Sequence, residues 1–231
     1  MARTGFFHHI GTFFLFAAVV LLIITDISAP VVADISLLRV ELDSSNSGRQ
    51  PVITFGTFGW CTQDVMANGN DFCTRATVGY DPTSVLEEYL SSSSSSSSSD
   101  TFSDAATATS RALTRVFVLH PIATGLAFVS FLLAAGAGFI GSLLASLGSL
   151  LTFVVVVVAL VCDFVGLAIV RGKVNDDGGV FAGSGASASW GSAAWTILVA
   201  AICCLIASVV LFFTCCSARI HGRREARAVK Y

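Results

Sequence analysis

Charged side chains are scarce in this sequence. Asp, Glu, Lys and Arg make up 12% of its 231 residues, about half of the usual 25% share. A soluble domain covers its surface with such groups, so a water-soluble globular body is excluded. A basic excess is missing too. The 13 Lys+Arg against 15 Asp+Glu give a net charge of −2, which argues against nucleic acid as a partner. Only 4 His occur, and the 7 Cys follow no repeated metal-ligand spacing. The chain has no nucleophile–base arrangement, phosphate-binding glycine loop, H-E-x-x-H, EF-hand loop, CxxC or N-x-[ST] acceptor. No catalytic, cofactor-binding or metal-binding residue is therefore expected, and no enzyme activity.

What is abundant is apolar surface. Hydrophobic residues are 54% of the chain and mean hydropathy is +0.79. A spanning helix needs about 20 mostly apolar residues, since roughly 30 Å of hydrocarbon is crossed at 1.5 Å per residue. Four stretches qualify: Ile10–Ala33, Val118–Ile140, Ser149–Val170 around the run Val154–Val158, and Trp195–Cys216. The expected fold class is an all-α membrane protein, a four-transmembrane-helix bundle. Its large first extracellular loop carries β-forming residues and a disulfide. For the first span two readings stand: a retained helix, which its length favours, or a cleaved signal peptide ending near Val31-Val32-Ala33.

Basic residues set the expected orientation. After Cys216 come Arg219, Arg223, Arg224, Arg227 and Lys230 against the single acid Glu225. That places residues 217–231 in the cytosol as a basic tail attracted to anionic lipid, and with four spans residues 1–9 join them. Arg111, Arg115, Arg171 and Lys173 lie on the opposite side and oppose this assignment. Residues 34–117 and 171–194 are then the two outer loops, and residues 141–148 a cytosolic turn.

In the first loop, Gly56 and Gly59 between aromatics, ending in Trp60 and Cys61, suggest tight turns beside a small packed patch. Cys61 and Cys73 are the only cysteines outside the spans and their inner edge. In an oxidising compartment they most simply form one disulfide, with two free thiols as the alternative. Nine serines, Ser91–Ser99, and the polar stretch to Ser110 read as a flexible linker over 91–110. The second loop, rich in Gly, Ser and Ala, reads as flexible too, with Trp190 and Trp195 as interface anchors.

Within the spans, Asp163 is a functional candidate by default, because an ionisable group in hydrocarbon is costly. A transport path would need more partners than Asp26 and His120, so a single acid near the outer leaflet, neutral or paired with a polar neighbour, is the preferred reading. His120-Pro121 opens span two, where proline is tolerated in the first turn. A lone interfacial histidine is read as no sensor. Ala134, Gly138 and Ser142 recur every four positions and suit close helix packing, within the bundle, with a partner or with a second copy. Cys215 and Cys216 beside basic residues are either palmitoylation sites or ordinary apolar lining.

Three motifs in order resemble one family. They are Thr25-Asp26-Ile27-Ser28-Ala29-Pro30-Val31-Val32, then Phe55-Gly56-Thr57-Phe58-Gly59-Trp60-Cys61 with Cys73 and Val78-Gly79-Tyr80-Asp81, then Leu119-His120-Pro121-Ile122-Ala123 with Gly125-Leu126. Together they resemble the PalI family of fungal ambient-pH response regulators, within the wider group of eisosome-type tetraspanners. The resemblance implies a non-enzymatic, multi-pass protein of the plasma membrane. It would help a multi-span pH sensor reach or stay at the cell surface. The alternative it carries is a structural organiser of membrane domains or cell-wall contact. Many members have a long cytosolic tail, whereas this sequence ends at Tyr231, and the serine run is also unlike the family pattern.

Overall fold

Backbone polar groups in hydrocarbon have no water to bond, so long apolar runs satisfy themselves as helices. In the computed structural model, which describes residues 6–42, 51–63, 71–93, 104–136, 139–176 and 186–228, four helices are long and apolar enough to cross a membrane. The qualifying stretches are His8–Asp26, Thr107–Ala135, Gly141–Val174 and Ser192–Cys215. The elements run α1 (Phe6–Asp26), β1 (Leu38–Glu41), β2 (Val52–Phe55), β3 (Trp60–Gln63), β4 (Phe72–Cys73), α2 (Pro82–Ser93) and α3 (Asp104–Arg115). A short 3-10 turn, Val116–Val118, leads into α4 (Leu119–Ala135), followed by α5 (Phe139–Val174), β5 (Ser187–Trp190) and α6 (Ser192–Ala228). The fold is a helical membrane bundle with a small antiparallel sheet.

The chain divides into two compact units. One takes residues 1–23, 121–157 and 197–231 and consists of helix packed on helix. Its buried contacts are made by small residues: Leu15, Ala134, Ala145, Ala207 and Leu211 form one cluster, and Ala18, Cys203 and Cys204 another. A Cβ on Gly11 would meet the Leu211 side chain at 2.9 Å, and one on Gly148 would run into the Ser130 hydroxyl. Small side chains let helix backbones approach, which is how spans associate where lipid is as apolar as leucine. Phe13, Phe16, Leu132, Val154, Phe212 and Phe213 face outward.

The other unit, residues 24–120 and 158–196, carries the sheet. Strand order is β4-β3-β2-β1-β5, and every pairing is antiparallel. Alternation along the strands puts Leu38, Val40, Ile53, Phe55 and Ala188 into one core with Leu86, Phe117, Leu167 and Val170.

Several expected boundaries move. Helix α1 ends at Asp26 rather than Ala33. Residues 27–34 form turns in which Ala29 N–H donates to the Ile35 carbonyl at 2.9 Å, and Pro30, reached through a cis peptide bond, has no N–H with which to continue a helix. The turn expected at 141–148 is helical: α4 stops at Ala135, and α5 runs through Gly141 and Gly148, whose small size serves packing. Both ends of the stretch 91–110, expected as a flexible linker, are helical. Helix α2 includes Ser91–Ser93 and α3 begins at Asp104, turning Ser110 and Thr114 inward one helical turn apart. Residues 94–103, which include the rest of the serine run, lie outside the described residues. The second loop ends in a strand. β5 pairs with β1 over Leu38↔Trp190 to Glu41↔Ser187, because Ser-Ala-Ser-Trp alternates and buries Ala188. Trp190 packs on Phe164 at 4.6 Å, with the Arg171 guanidinium 5.7 Å from its ring, so it takes part in the sheet's packing.

Candidate functional site in the sheet unit

The first two sequence motifs fold against each other. The chain leaving α1 passes under the turn between β2 and β3, and Gly56 is there because nothing larger fits: a Cβ would collide with the Ala29 carbonyl oxygen. Thr57 locks the contact. Its backbone N–H donates to Ser28 Oγ at 3.0 Å and its hydroxyl to the Thr25 carbonyl at 3.0 Å. Thr25 Oγ1 also lies 3.1 Å from Thr196 Oγ1, tying the end of α1 to the start of α6. Gly56 N–H closes the turn on the Gly59 carbonyl at 2.8 Å. A Cβ on Gly59 would meet Thr74 Oγ1 at 2.5 Å. Cys61 and Cys73 stand directly opposite on β3 and β4 and are joined by a disulfide, while Trp60 packs its ring on Phe72 at 5.8 Å.

Val78-Gly79-Tyr80-Asp81 ties this turn to the helices. Gly79 has φ +75°, a left-handed backbone that favours glycine, and a Cβ there would press on the Arg115 stem. Tyr80 donates its hydroxyl to the Gly56 carbonyl at 2.7 Å, stacks on Phe55 and meets Phe117 edge-on at 6.3 Å. Burial first, and the Asp163 carboxylate second, push its phenol well above the usual tyrosine range, so it remains a hydrogen-bond donor. Asp81 caps α2: Oδ1 accepts from Thr83 N–H at 3.0 Å and from its hydroxyl, while Oδ2 pairs with Arg111 at 3.1 Å. Pro82 occupies the first helical position, where its missing N–H costs nothing.

The third motif brings together two residues that sequence spacing separates by 43 positions. His120 Nε2 lies 3.1 Å from Asp163 Oδ2, both buried. His120 Nδ1 donates to the Phe117 carbonyl at 3.1 Å, and the ring meets Phe117 edge-on. The acid, expected to be neutral or paired with a polar neighbour, and the histidine read as a lone interfacial group are thus one couple. Pro121 follows in the first turn of α4. Neither the Tyr80–Gly56 bond nor the His120–Asp163 pair has a spacing signal in the chain; the pointers were the co-occurrence of the motifs for the first and the scarcity of ionisable groups in the spans for the second. Asn175 gave no signal either, yet its amide makes two hydrogen bonds to the backbone of Ala188.

Other candidates fall elsewhere. Ala134 is buried in the helix unit, and its carbonyl accepts from His8 Nε2 at 3.1 Å. Ser142 is buried and Gly138 lies outside the described residues. Cys215 is buried, and the Cys216 side chain lies outside the described residues. Among the described residues no group of three or more His, Cys, Asp or Glu is placed to hold a metal ion.

A four-span bundle with a disulfide-stapled sheet, whose first-loop turn is built onto the end of span one, defines a class of multi-pass membrane protein. The SUR7/PalI family model matches residues 7–221, and the chain belongs to that family. It is also similar to the pH-response regulator protein palI/prr-5 of Neurospora crassa, at 30% identity over 125 residues. That match covers 54% of this chain but 15% of the relative, so the chain spans a small part of that protein's length.

Proposed function

We propose that this protein is an accessory of the ambient-pH response at the plasma membrane, assisting the surface delivery or assembly of a multi-span pH sensor. The observation that carries the reading is the similarity to a protein named as a pH-response regulator, within a family match that runs across all four spans. The geometry supports it by division of labour. Among the described residues, Gly11, Ala134, Ala145 and Gly148 are used in packing within the helix unit, and many outward side chains are large and apolar, suited to lipid. The stapled first-loop turn is what the chain offers a partner. No step in this role is chemical. Both termini are cytosolic and the sheet faces outward in this reading, and reporters confined to cytosol or lumen test that topology. Deleting the gene should lower the surface amount of the sensor and weaken growth at alkaline pH. Unchanged sensor delivery and unchanged growth would overturn the proposal.

A second reading, an organiser of static membrane domains, is favoured by the SUR7 half of the family description. Fluorescent fusions that form fixed patches in cells lacking any pH sensor would select it.

A further inference from the structure

Asp163 Oδ1 is buried and accepts no hydrogen bond, while Oδ2 faces His120 Nε2 at 3.1 Å. A carbonyl oxygen only accepts, so Nδ1, bonded to the Phe117 carbonyl, carries a proton. The Nε2–Oδ2 contact then needs one proton more, on the imidazole or on the carboxyl. Without it, two lone pairs would face each other across 3.1 Å. With the side chains 1% and 3% exposed, water does not stand in for that proton.

We propose that His120 and Asp163 form a binding site for a single proton that clasps the start of α4 to α5, and that emptying it loosens the first-loop turn. The path is short. The His120 ring abuts Phe117, Phe117 abuts Tyr80, and Tyr80 holds the Gly56 carbonyl. Other ionisable groups around the pair do not replace the proton. Asp26, on α1, acts on the ring through its charge. Tyr80 has its hydroxyl committed to Gly56. Arg111 is paired with Asp81, the Arg115 stem lies at Gly79, and Cys162 neighbours Asp163 on α5.

Counting protons gives the direction of the pH dependence. Clasped, the pair holds one proton. Separated and hydrated, it holds one on the imidazole only below about pH 6.5 and gains a second, on the carboxyl, below about pH 4. The clasp is favoured between those limits. Above about pH 6.5 its equilibrium falls by up to about tenfold per pH unit. The clasp concerns this chain alone, so it stands or falls apart from the accessory role.

Hydrogen exchange on the full chain in phosphatidylcholine nanodiscs tests this, with rates corrected for base-catalysed chemistry. Protection at Trp60–Gln63 and at Val116–Val118 should fall about tenfold per pH unit in the upper range. Asp163→Asn supplies an amide that donates to Nε2 with no shared proton to lose, so its profile should be flat. Asp163→Ala should lack the extra protection at every pH. Should Asp163→Asn not fold, His120→Gln, whose amide donates to Asp163, makes the same comparison. A flat profile in the unmodified chain, or an equal slope in the amide variant, overturns the proposal.

Discussion

The two units hold together by different physics. In the helix unit, the buried contacts are alanine, glycine, serine and leucine in van der Waals contact, with few cross-helix hydrogen bonds such as Ser146 Oγ to the Ser208 carbonyl at 3.4 Å. In the sheet unit, side-chain to backbone bonds involving Thr57, Tyr80, Asp81, Thr114 and Asn175 hold the first-loop turn, the start of α2 and β5. Apolar packing tolerates exchange among residues of similar size, whereas a buried polar group that loses its partner carries the full cost of desolvation. Single substitutions should therefore be felt more sharply in the sheet unit.

The largest effect expected is from His120→Ala. It leaves the Asp163 carboxyl buried with neither oxygen bonded, a loss of about 3–5 kcal/mol, read as a drop in thermal unfolding temperature in detergent and in surface amount. If that variant is no less stable than the unmodified chain, the polar side of the contrast fails. Next is the disulfide. Replacing Cys61 or Cys73 with Ser should cost roughly 2–4 kcal/mol and raise exchange in β2–β4 while leaving the helix unit protected. Equal loss in both units would show that they unfold as one.

A mid-sized effect is expected on the apolar side. Gly148→Ala sets a methyl group against Ser130 and should cost about 1–3 kcal/mol, visible as helix-unit exchange with the sheet unchanged. Tyr80→Phe removes one donor from the Gly56 carbonyl and should cost about 1–3 kcal/mol, confined to the first-loop turn. The smallest change is expected from Arg39→Ala. Its pair with Glu41 is 41% and 47% exposed, so its removal should shift stability by no more than about 1 kcal/mol in a double-mutant cycle.

The same division decides what the sequence made legible. Hydropathy alone located the four spans, because one apolar run is one helix. It missed where they stop. The helix ends at Asp26 and the continuation through Gly141–Gly148 depend on the partners of Pro30 and of the small residues. Cys61 and Cys73 could be paired by elimination, since no other cysteine lay outside the spans and their inner edge. The glycines at 56, 59 and 79 announced tight turns but not what crowds them. The His120–Asp163 couple and the Asn175 contact were illegible, being pairs remote in sequence with no periodicity to relate them. The β character of the second loop was hidden by its serine, glycine and alanine content, which reads as linker until β1 offers a strand to pair with.

Asn175 has a consequence for the edge of the sheet. Its amide accepts from the Ala188 N–H at 2.7 Å and donates to the Ala188 carbonyl at 2.9 Å, with Arg171 Nε adding a third contact at 3.3 Å. Among the described residues no strand pairs with β5 on the side away from β1, and there the Asn175 side chain bonds the backbone of Ala188. An exposed sheet edge is a template for another chain's backbone, and here it is closed by a residue that cannot itself be extended. At the opposite margin, β4 is two residues long. A strand from another chain that approached the β5 edge would find the Ala188 N–H and carbonyl already bonded.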